Sequence, residues 1–270
     1  MTHHATVCRL PERGLISVSG AEAVSFLQNL VTQDINLLSS NALVYSCLLT
    51  PQGRFLHDFF ISGDGSGGFF LECGQPRRED LIRRLGIFKL RAKVVIAACE
   101  EFDVYAATAP PAGTNVFSDP RLSALGYRFY RSRSEPRIDA APSTEYSDRR
   151  ICLGVPEGSP DIKPEIDILS DVNLDRLNAV SWDKGCYVGQ EVTARMHYRA
   201  LVKKRMVVLS GNALVFGDSL VQNGHAVGEV RSVNASGTQA LAVLKLAALA
   251  EGAIITAAGV TVAAALPGWL

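Results

Sequence analysis

The C-terminal part of the chain, from about residue 202 onward, constrains the fold most. Short apolar runs alternate there with turn residues at regular spacing, and charged residues become sparse. Each run is too short for an ordinary helix but suits a β-strand, and Asn223-Gly224 is a strong signal for a two-residue hairpin. The strand-like runs are 205–209, 219–222, 226–232, 239–244, 253–256 and 261–265. Short strands separated by turns in this way predict a small β-barrel.

The chain in front of this barrel mixes helical and strand patterns, which predicts an α+β core. Capping-box spacing at Ser19–Glu22 precedes apolar residues at helical intervals, so a helix is predicted over roughly 20–33. Strand-like runs at 43–49 and 54–61 enclose the turn sequence Pro51-Gln52-Gly53. Together they predict a β-hairpin.

The domain division follows from these two patterns. Residues 1–200 form the predicted core, and residues 201–270 form the predicted barrel. The segment 108–123 is rich in proline, alanine, glycine, serine and threonine, and it is predicted to be a loop. A split of the core into two subdomains near this loop stays open.

Composition and charge exclude several classes of protein. Lysine and arginine total 27 and equal aspartate and glutamate, so there is no overall basic field for nucleic acid. The six cysteines show no CxxC spacing and no Cys/His cluster, which suits free thiols in a reducing compartment and no metal held by this chain alone. No apolar run reaches the ~20 residues of a membrane span. Because the first residues also carry no targeting pattern, the expected location is cytoplasmic.

Asp58 is the first candidate functional residue, because it lies in the middle of an apolar strand. Strict alternation places Leu56 and Phe60 on the same face as Asp58, with Phe55 and His57 on the other face. A carboxylate among apolar side chains must be partnered, and such groups often belong to functional sites. The alternative is an aspartate that backbone donors of a neighbouring loop satisfy.

The second candidate, Cys186, lies in the segment Asp183–Glu191, which reads DKGCYVGQE. Glycines on both sides of the cysteine predict a turn, and a helical pattern follows at once. Glu191 and Arg195 are four residues apart, in the favourable acid-before-base order. The cysteine is therefore predicted near the positive end of a short helix, which favours a thiolate. The alternative is that Cys186 packs the turn beneath the helix.

The densest basic region of the chain runs from Arg77 to Lys93. One interpretation is a solvated helix face. The other is an anion site, for a polyglutamate tail or a phosphate backbone, which makes an RNA-associated protein one candidate function. The neutral overall charge argues against nucleic acid as the main partner.

Several segments together resemble the YgfZ family of folate-binding iron–sulfur cluster assembly proteins, within the glycine-cleavage T-protein superfamily. Residues 184–191 resemble the family signature and are the most specific of the matching segments. The match runs in order over most of the chain. The other matching segments are 26–34, 48–54 with Asp58, 89–94, and Arg195 with Lys204-Arg205.

The resemblance implies a T-protein-like core around a central, folate-sized hole, followed by the barrel. It implies tetrahydrofolate or a derivative as the ligand, with Asp58 paired to the amino-pyrimidine edge of the pterin. The glutamate tail of folate requires a guanidinium group, since arginine recognises carboxylates in a bidentate manner. The candidates for this contact are Arg91, Arg195 and Arg205, with no choice among them. The resemblance also places Asn29, Gln190 and Glu191 at the folate site.

The chain differs from the T-protein at one residue that argues against simple one-carbon transfer. The T-protein has a glutamate that helps to bind the pterin, and alignment on Gly154 puts Cys152 in its place. The expected function is therefore a folate-dependent factor that builds or repairs [4Fe–4S] clusters in client enzymes, with Cys186 as the functional thiol. A folate-dependent aminomethyl or one-carbon transferase is the alternative, so enzymatic activity is left open.

The chemistry of a single thiol sets the expected partners. One thiolate cannot hold an iron–sulfur cluster, so a cluster role requires ligands from another protein. The expected partners are iron–sulfur carrier or client proteins and a small-molecule folate, with no membrane partner. Nothing in the sequence demands more than a monomer.

Overall fold

The computed structural model describes residues 5–38, 43–112, 116–199, 202–250 and 254–270. Its strands, numbered in chain order, are β1 (Val7–Arg9), β2 (Arg13–Ser19), β3 (Leu43–Leu49), β4 (Phe55–Gly63), β5 (Phe69–Gly74), β6 (Val95–Cys99), β7 (Phe102–Ala107), β8 (Phe117–Ser118), β9 (Tyr127–Ser132), β10 (Lys204–Ser210), β11 (Ser219–Gln222), β12 (His225–Val233), β13 (Gln239–Lys245), β14 (Ile255–Ala257) and β15 (Val260–Ala265). Its α-helices are α1 (Ala23–Gln28), α2 (Arg78–Lys89), α3 (Ser143–Cys152), the single distorted turn α4 (Gly158–Asp161) and α5 (Gln190–Tyr198). Within these ranges no helix is both long and apolar enough to cross a membrane.

Two antiparallel sheets form the core. The larger has the strand order β3-β4-β5-β2-β6, and the smaller has the order β1-β7-β9-β8. Helices α1 and α2 cover one face of the larger sheet through an apolar cluster that includes Leu27, Phe59 and Leu81. A second cluster covers the other face and joins it to the chain between α3 and α5, through residues such as Tyr45, Ile151 and Leu177.

The predicted hairpin is present as β3 and β4, with the Gly53 amide donating to the Thr50 carbonyl at 2.8 Å across the turn. The alternation of side chains along β4 differs from the expected pattern at one residue. The pairing register shifts between Leu48 and Leu49, which leaves Leu56 as the extra residue of a β-bulge. Phe55 consequently packs on the same side as Phe60, whereas Leu56 packs with the opposite cluster.

The predicted helix over 20–33 is wrong in its length, because α1 covers only Ala23–Gln28. From its last residue onward, the carbonyls of Gln28, Val31 and Gln33 accept hydrogen bonds from the Lys184 ammonium group. The chain also pairs with β3 through a bridge between Val31 and Leu48. These tertiary contacts satisfy backbone groups that would otherwise be hydrogen-bonded within a longer helix.

The predicted barrel is confirmed as a closed six-stranded barrel in the order β10-β13-β12-β11-β14-β15. It closes because β10 pairs with both β13 and β15. Because side chains alternate along β10, Val207 and Leu209 point into the barrel interior. Met206 points outward and packs into the cluster that contains Tyr45. Arg231 on β12 binds Asp167 of the core, so apolar contact and an ion pair together hold the barrel against the core.

Candidate functional site

Asp58 lies in the interior, as the sequence predicted. Its side chain is buried on β4 and accepts hydrogen bonds from the Tyr45 hydroxyl at 3.0 Å and the Gly158 amide at 3.2 Å. Gly158 is 100 residues away along the chain, at the start of α4. One side-chain donor and one backbone donor therefore share a single carboxylate oxygen of Asp58.

A cavity of about 180 Å³ opens beside Asp58. Nine of its twelve lining residues are charged or polar. The volume suits a small ring system but lies below the roughly 300–1,000 Å³ of pockets that enclose drug-sized ligands. The lining residues are Glu12, Arg13, His57, Asp58, Gly74, Pro76, Arg77, Ser147, Arg150, Glu157, Gly158 and Ser159.

A fully buried ion network fills the protein behind this cavity. Arg13 and Arg128 both bind Glu72, with the Arg13 Nε donating at 2.9 Å and the Arg128 Nε at 3.1 Å. Arg121 also belongs to the network, and the three guanidinium groups lie 4.2–5.7 Å from the centre of the Phe60 ring. Three guanidinium groups therefore pack around one buried aromatic ring.

Glu157 is a cavity residue that sequence reasoning missed. It is buried, and its carboxylate accepts hydrogen bonds from Arg121 at 2.8 Å and from the Tyr146 hydroxyl at 2.6 Å. Burial alone would raise its pKa, but Arg13, Arg121 and Arg128 hold the pKa of this carboxyl well below its usual range. A glutamate thus reaches the cavity from the loop after α3, although Cys152 stands at the aligned position.

Cys186 is exposed on the loop between residue 181 and α5, and its thiol is free. The residues beside it are anchored in two different apolar clusters. Tyr187 is buried in the cluster that contains Tyr45, whose hydroxyl binds Asp58. Val188 packs against the cluster around α1. The thiol is therefore held at the surface by neighbours fixed on both sides of the larger sheet.

Lys184, the first residue of the signature, makes contacts that the sequence did not predict. Its ammonium group donates to the carbonyls of Gln28 at 2.8 Å, Val31 at 2.7 Å and Gln33 at 3.0 Å. The side chain is buried, and this desolvation lowers the pKa of Lys184 to about 8. A buried lysine that satisfies three carbonyls fixes the signature loop to the chain after α1.

The helix predicted after the signature is present as α5, which begins at Gln190. Gly189 has φ +82°, and a side chain there would collide with the Thr50 carbonyl, so glycine is required at this close approach. Glu191 and Arg195 form the predicted pair at 2.9 Å, and both are exposed. Further along the helix, His197 stacks on Trp182 with ring centres 3.8 Å apart.

The residues that the resemblance placed at a folate site are scattered over the structure. Of that set, only Asp58 lines the interior cavity. Asn29 lines a surface groove beside α1, and Arg91 is exposed after α2. Gln190, Glu191 and Arg195 lie on α5, and Arg205 is bound by Asp175 at 2.6 Å and by the Ser170 carbonyl at 2.9 Å.

The basic region from Arg77 to Lys93 is largely neutralised in its first half. Arg77, Arg83 and Arg84 all bind the carboxylate of Asp80. These contacts favour the solvated helix face over a phosphate-binding surface. The structure therefore gives no support to RNA association through α2.

Comparison with known proteins places the chain in a family. Residues 203–270 match the family model described as the CAF17 C-terminal beta-barrel domain. The mitochondrial iron–sulfur cluster assembly factor IBA57 of Mus musculus is 31% identical over 268 residues, which cover 87% of this chain and 73% of the mouse protein. This chain belongs to the IBA57 family. The resemblance to YgfZ proteins was right at the level of the related T-protein superfamily, but the branch is IBA57 and not YgfZ itself.

Two fungal IBA57 homologs are longer than this chain. The homolog of Mycosarcoma maydis is 36% identical over 228 residues, which cover 76% of this chain and 57% of the relative. The homolog of Pyricularia oryzae is 37% identical over 217 residues, which cover 73% of this chain and 55% of the relative. The chain thus spans little more than half the length of these two IBA57 relatives.

The same names overturn the expected location. These IBA57 relatives are named as mitochondrial proteins, which points to mitochondria and makes the cytoplasmic expectation wrong. That expectation rested on the absence of a targeting pattern, and an absence does not fix a compartment.

A solved structure confirms the predicted fold class. The glycine cleavage system aminomethyltransferase T of Bartonella henselae superposes with a TM-score of 0.79 over 99% of this chain and 86% of that chain. Sequence identity is 17%, so the likeness describes the fold alone. The IBA57-family chain therefore has a T-protein-like α+β core followed by a barrel.

Proposed function

We propose that this chain supports the assembly or repair of [4Fe–4S] clusters in client enzymes. Cys186 would be the contact between the chain and a cluster that a partner protein carries. The observation that supports this most is the exposed thiol of Cys186 on a loop that Lys184 fixes. The family name of the relatives, iron–sulfur cluster assembly factor, supports the same conclusion.

The partner is required by the number of available ligands. Among the described residues, no group of three or more His, Cys, Asp or Glu side chains could hold a metal ion. Four of the six cysteines are buried, which leaves Cys152 and Cys186 exposed. One thiolate supplies one cluster ligand, so the remaining ligands must come from a carrier or client protein. Such a shared cluster can then move by exchange of one thiolate ligand for another.

The experiment compares two exposed cysteines in cells that lack their own copy of the protein. Cys186→Ser should abolish the recovery of [4Fe–4S] client enzyme activity, because serine does not replace a thiolate as a cluster ligand. Cys152→Ser is the matched control, since this thiol is also exposed but lies outside the signature, and it should restore activity like the wild type. Full recovery with Cys186→Ser would refute the role given to Cys186.

Tetrahydrofolate binding is a second part of the proposal. Its support is the buried carboxylate of Asp58 at a cavity large enough for a small ring system. Asp58 would hold the amino-pyrimidine edge of the pterin through hydrogen bonds to its carboxylate. The T-protein-like fold by itself does not make the chain an aminomethyltransferase, because the likeness is one of fold alone.

A further inference from the structure

An exposed apolar surface lies at the C-terminal end of α2. Ile87 is 60% exposed, Phe88 is 38% exposed and Leu90 is 88% exposed. Leu90 also has φ +43°, a conformation that costs a leucine free energy. Large apolar side chains held in solvent, one of them on strained backbone, are typical of a contact surface.

A groove of about 280 Å³ continues this surface toward α1. Phe26, Asn29 and Leu30 form one wall, and Phe88 lies on the opposite side. The walls are fixed relative to each other, because the carboxylate of Glu22 accepts a hydrogen bond from the Lys93 amide at 2.6 Å. Here the term α1–α2 surface means the groove residues Phe26, Asn29, Leu30 and Phe88 together with Ile87 and Leu90.

The α1–α2 surface is continuous with the signature loop. Lys184 binds the carbonyls of Gln28 and Val31, which flank the groove residues Asn29 and Leu30. Val188, on the other side of Cys186, packs against the cluster that includes Leu30. The loop that carries Cys186 is therefore fixed directly to the segment that forms this surface.

Charge identifies the kind of partner segment that would fit. Lys89, Arg91 and Lys93 are chain neighbours of the groove residues Phe88 and Ala92. None of the three forms an ion pair with a carboxylate of the described residues. The arginines of the first turns of α2 differ, since Arg77 and Arg84 are already paired with Asp80. Unpaired basic groups around an apolar patch favour an apolar segment flanked by acidic residues.

We infer that the α1–α2 surface docks the cluster-carrying partner through a segment with apolar side chains flanked by aspartate and glutamate. The inference rests on the proposed function and adds the surface that orients the carrier toward Cys186. Apolar side chains at the centre of such an interface contribute most of the affinity, and the basic rim speeds association.

The test measures binding of a purified iron–sulfur carrier protein from the same organism, loaded with its cluster, by titration calorimetry. The double variant Ile87→Ser/Leu90→Ser should raise the Kd by roughly tenfold or more. Both side chains are largely exposed, so folding should be kept. The matched control is Val215→Ser/Phe216→Ser on the barrel, at 56% and 57% exposure, which should leave the Kd unchanged.

A second variant and three further outcomes decide the inference. Arg91→Glu/Lys93→Glu should also weaken binding and reduce its dependence on salt. If the wild type binds the carrier and the Ile87/Leu90 variant binds it equally well, the docking surface is refuted while the role of Cys186 stands. If the wild type does not bind the carrier at all, the proposed function fails too. A change only in self-association, seen by sedimentation, would assign the surface to a second copy of the chain and overturn the inference.

Discussion

Lys184 offers the sharpest test of how the signature loop is held. Its ammonium group donates to three backbone carbonyls at 2.7–3.0 Å in a buried position. Lys184→Met keeps most of the side-chain volume but removes every donor. The carbonyls of Gln28, Val31 and Gln33 would then be left without this partner.

The magnitude follows from two opposing terms. Hydrogen bonds to a charged group contribute about 1.5–3 kcal/mol each. Against them stands the cost of burying the charge, since the fall of the Lys184 pKa from 10.5 to about 8 corresponds to about 3 kcal/mol. We therefore expect Lys184→Met to lower the free energy of unfolding by about 2–5 kcal/mol.

The assay is urea unfolding, combined with hydrogen exchange of residues 28–33 and 183–188. Exchange should accelerate in both segments of Lys184→Met, because each loses its link to the other. Lys245→Met is the control, since Lys245 is exposed and donates to one carbonyl, that of Ala226, at 3.1 Å. Its effect should stay within about 0.5 kcal/mol. If Lys184→Met also changed the free energy of unfolding by no more than about 0.5 kcal/mol and left hydrogen exchange in both segments unchanged, Lys184 would not fix the loop.

Two further predictions concern the cavity and its strand. Asp58→Asn should weaken the affinity for tetrahydrofolate in titration calorimetry, and equal affinity of variant and wild type would remove Asp58 from the folate proposal. His57 on the opposite face of β4 is buried, and burial together with Arg77 lowers its pKa from 6.5 to about 4. The folded protein therefore binds fewer protons than the unfolded chain between these values, so stability falls as the pH drops from 6.5 toward 4. His57→Gln should flatten this slope in urea unfolding, and a slope as steep as that of the wild type would assign the acid sensitivity to other groups.

Local pattern and tertiary contact contribute differently to the candidate site. The hairpin turn at Pro51-Gln52-Gly53 and the burial of Asp58 follow from nearby residues, so the sequence predicts both. The bulge at Leu56 does not, because it depends on the register that β4 adopts against β3. The position of Glu157 at the cavity could not be predicted from the sequence for a similar reason, since its partner Arg121 lies 36 residues away.

The sequence by itself determines the elements whose cause is local. Apolar periodicity and turn chemistry predict the barrel strands, and the signature around Cys186 points to a superfamily of related assembly factors. Only the tertiary structure decides what surrounds these elements. Lys184 reaches the Gln28 carbonyl across 156 residues, and Arg128 reaches Glu72 across 56. Such contacts leave no periodic trace in the sequence, because the energy of a buried charge depends on which groups the fold brings within hydrogen-bonding distance.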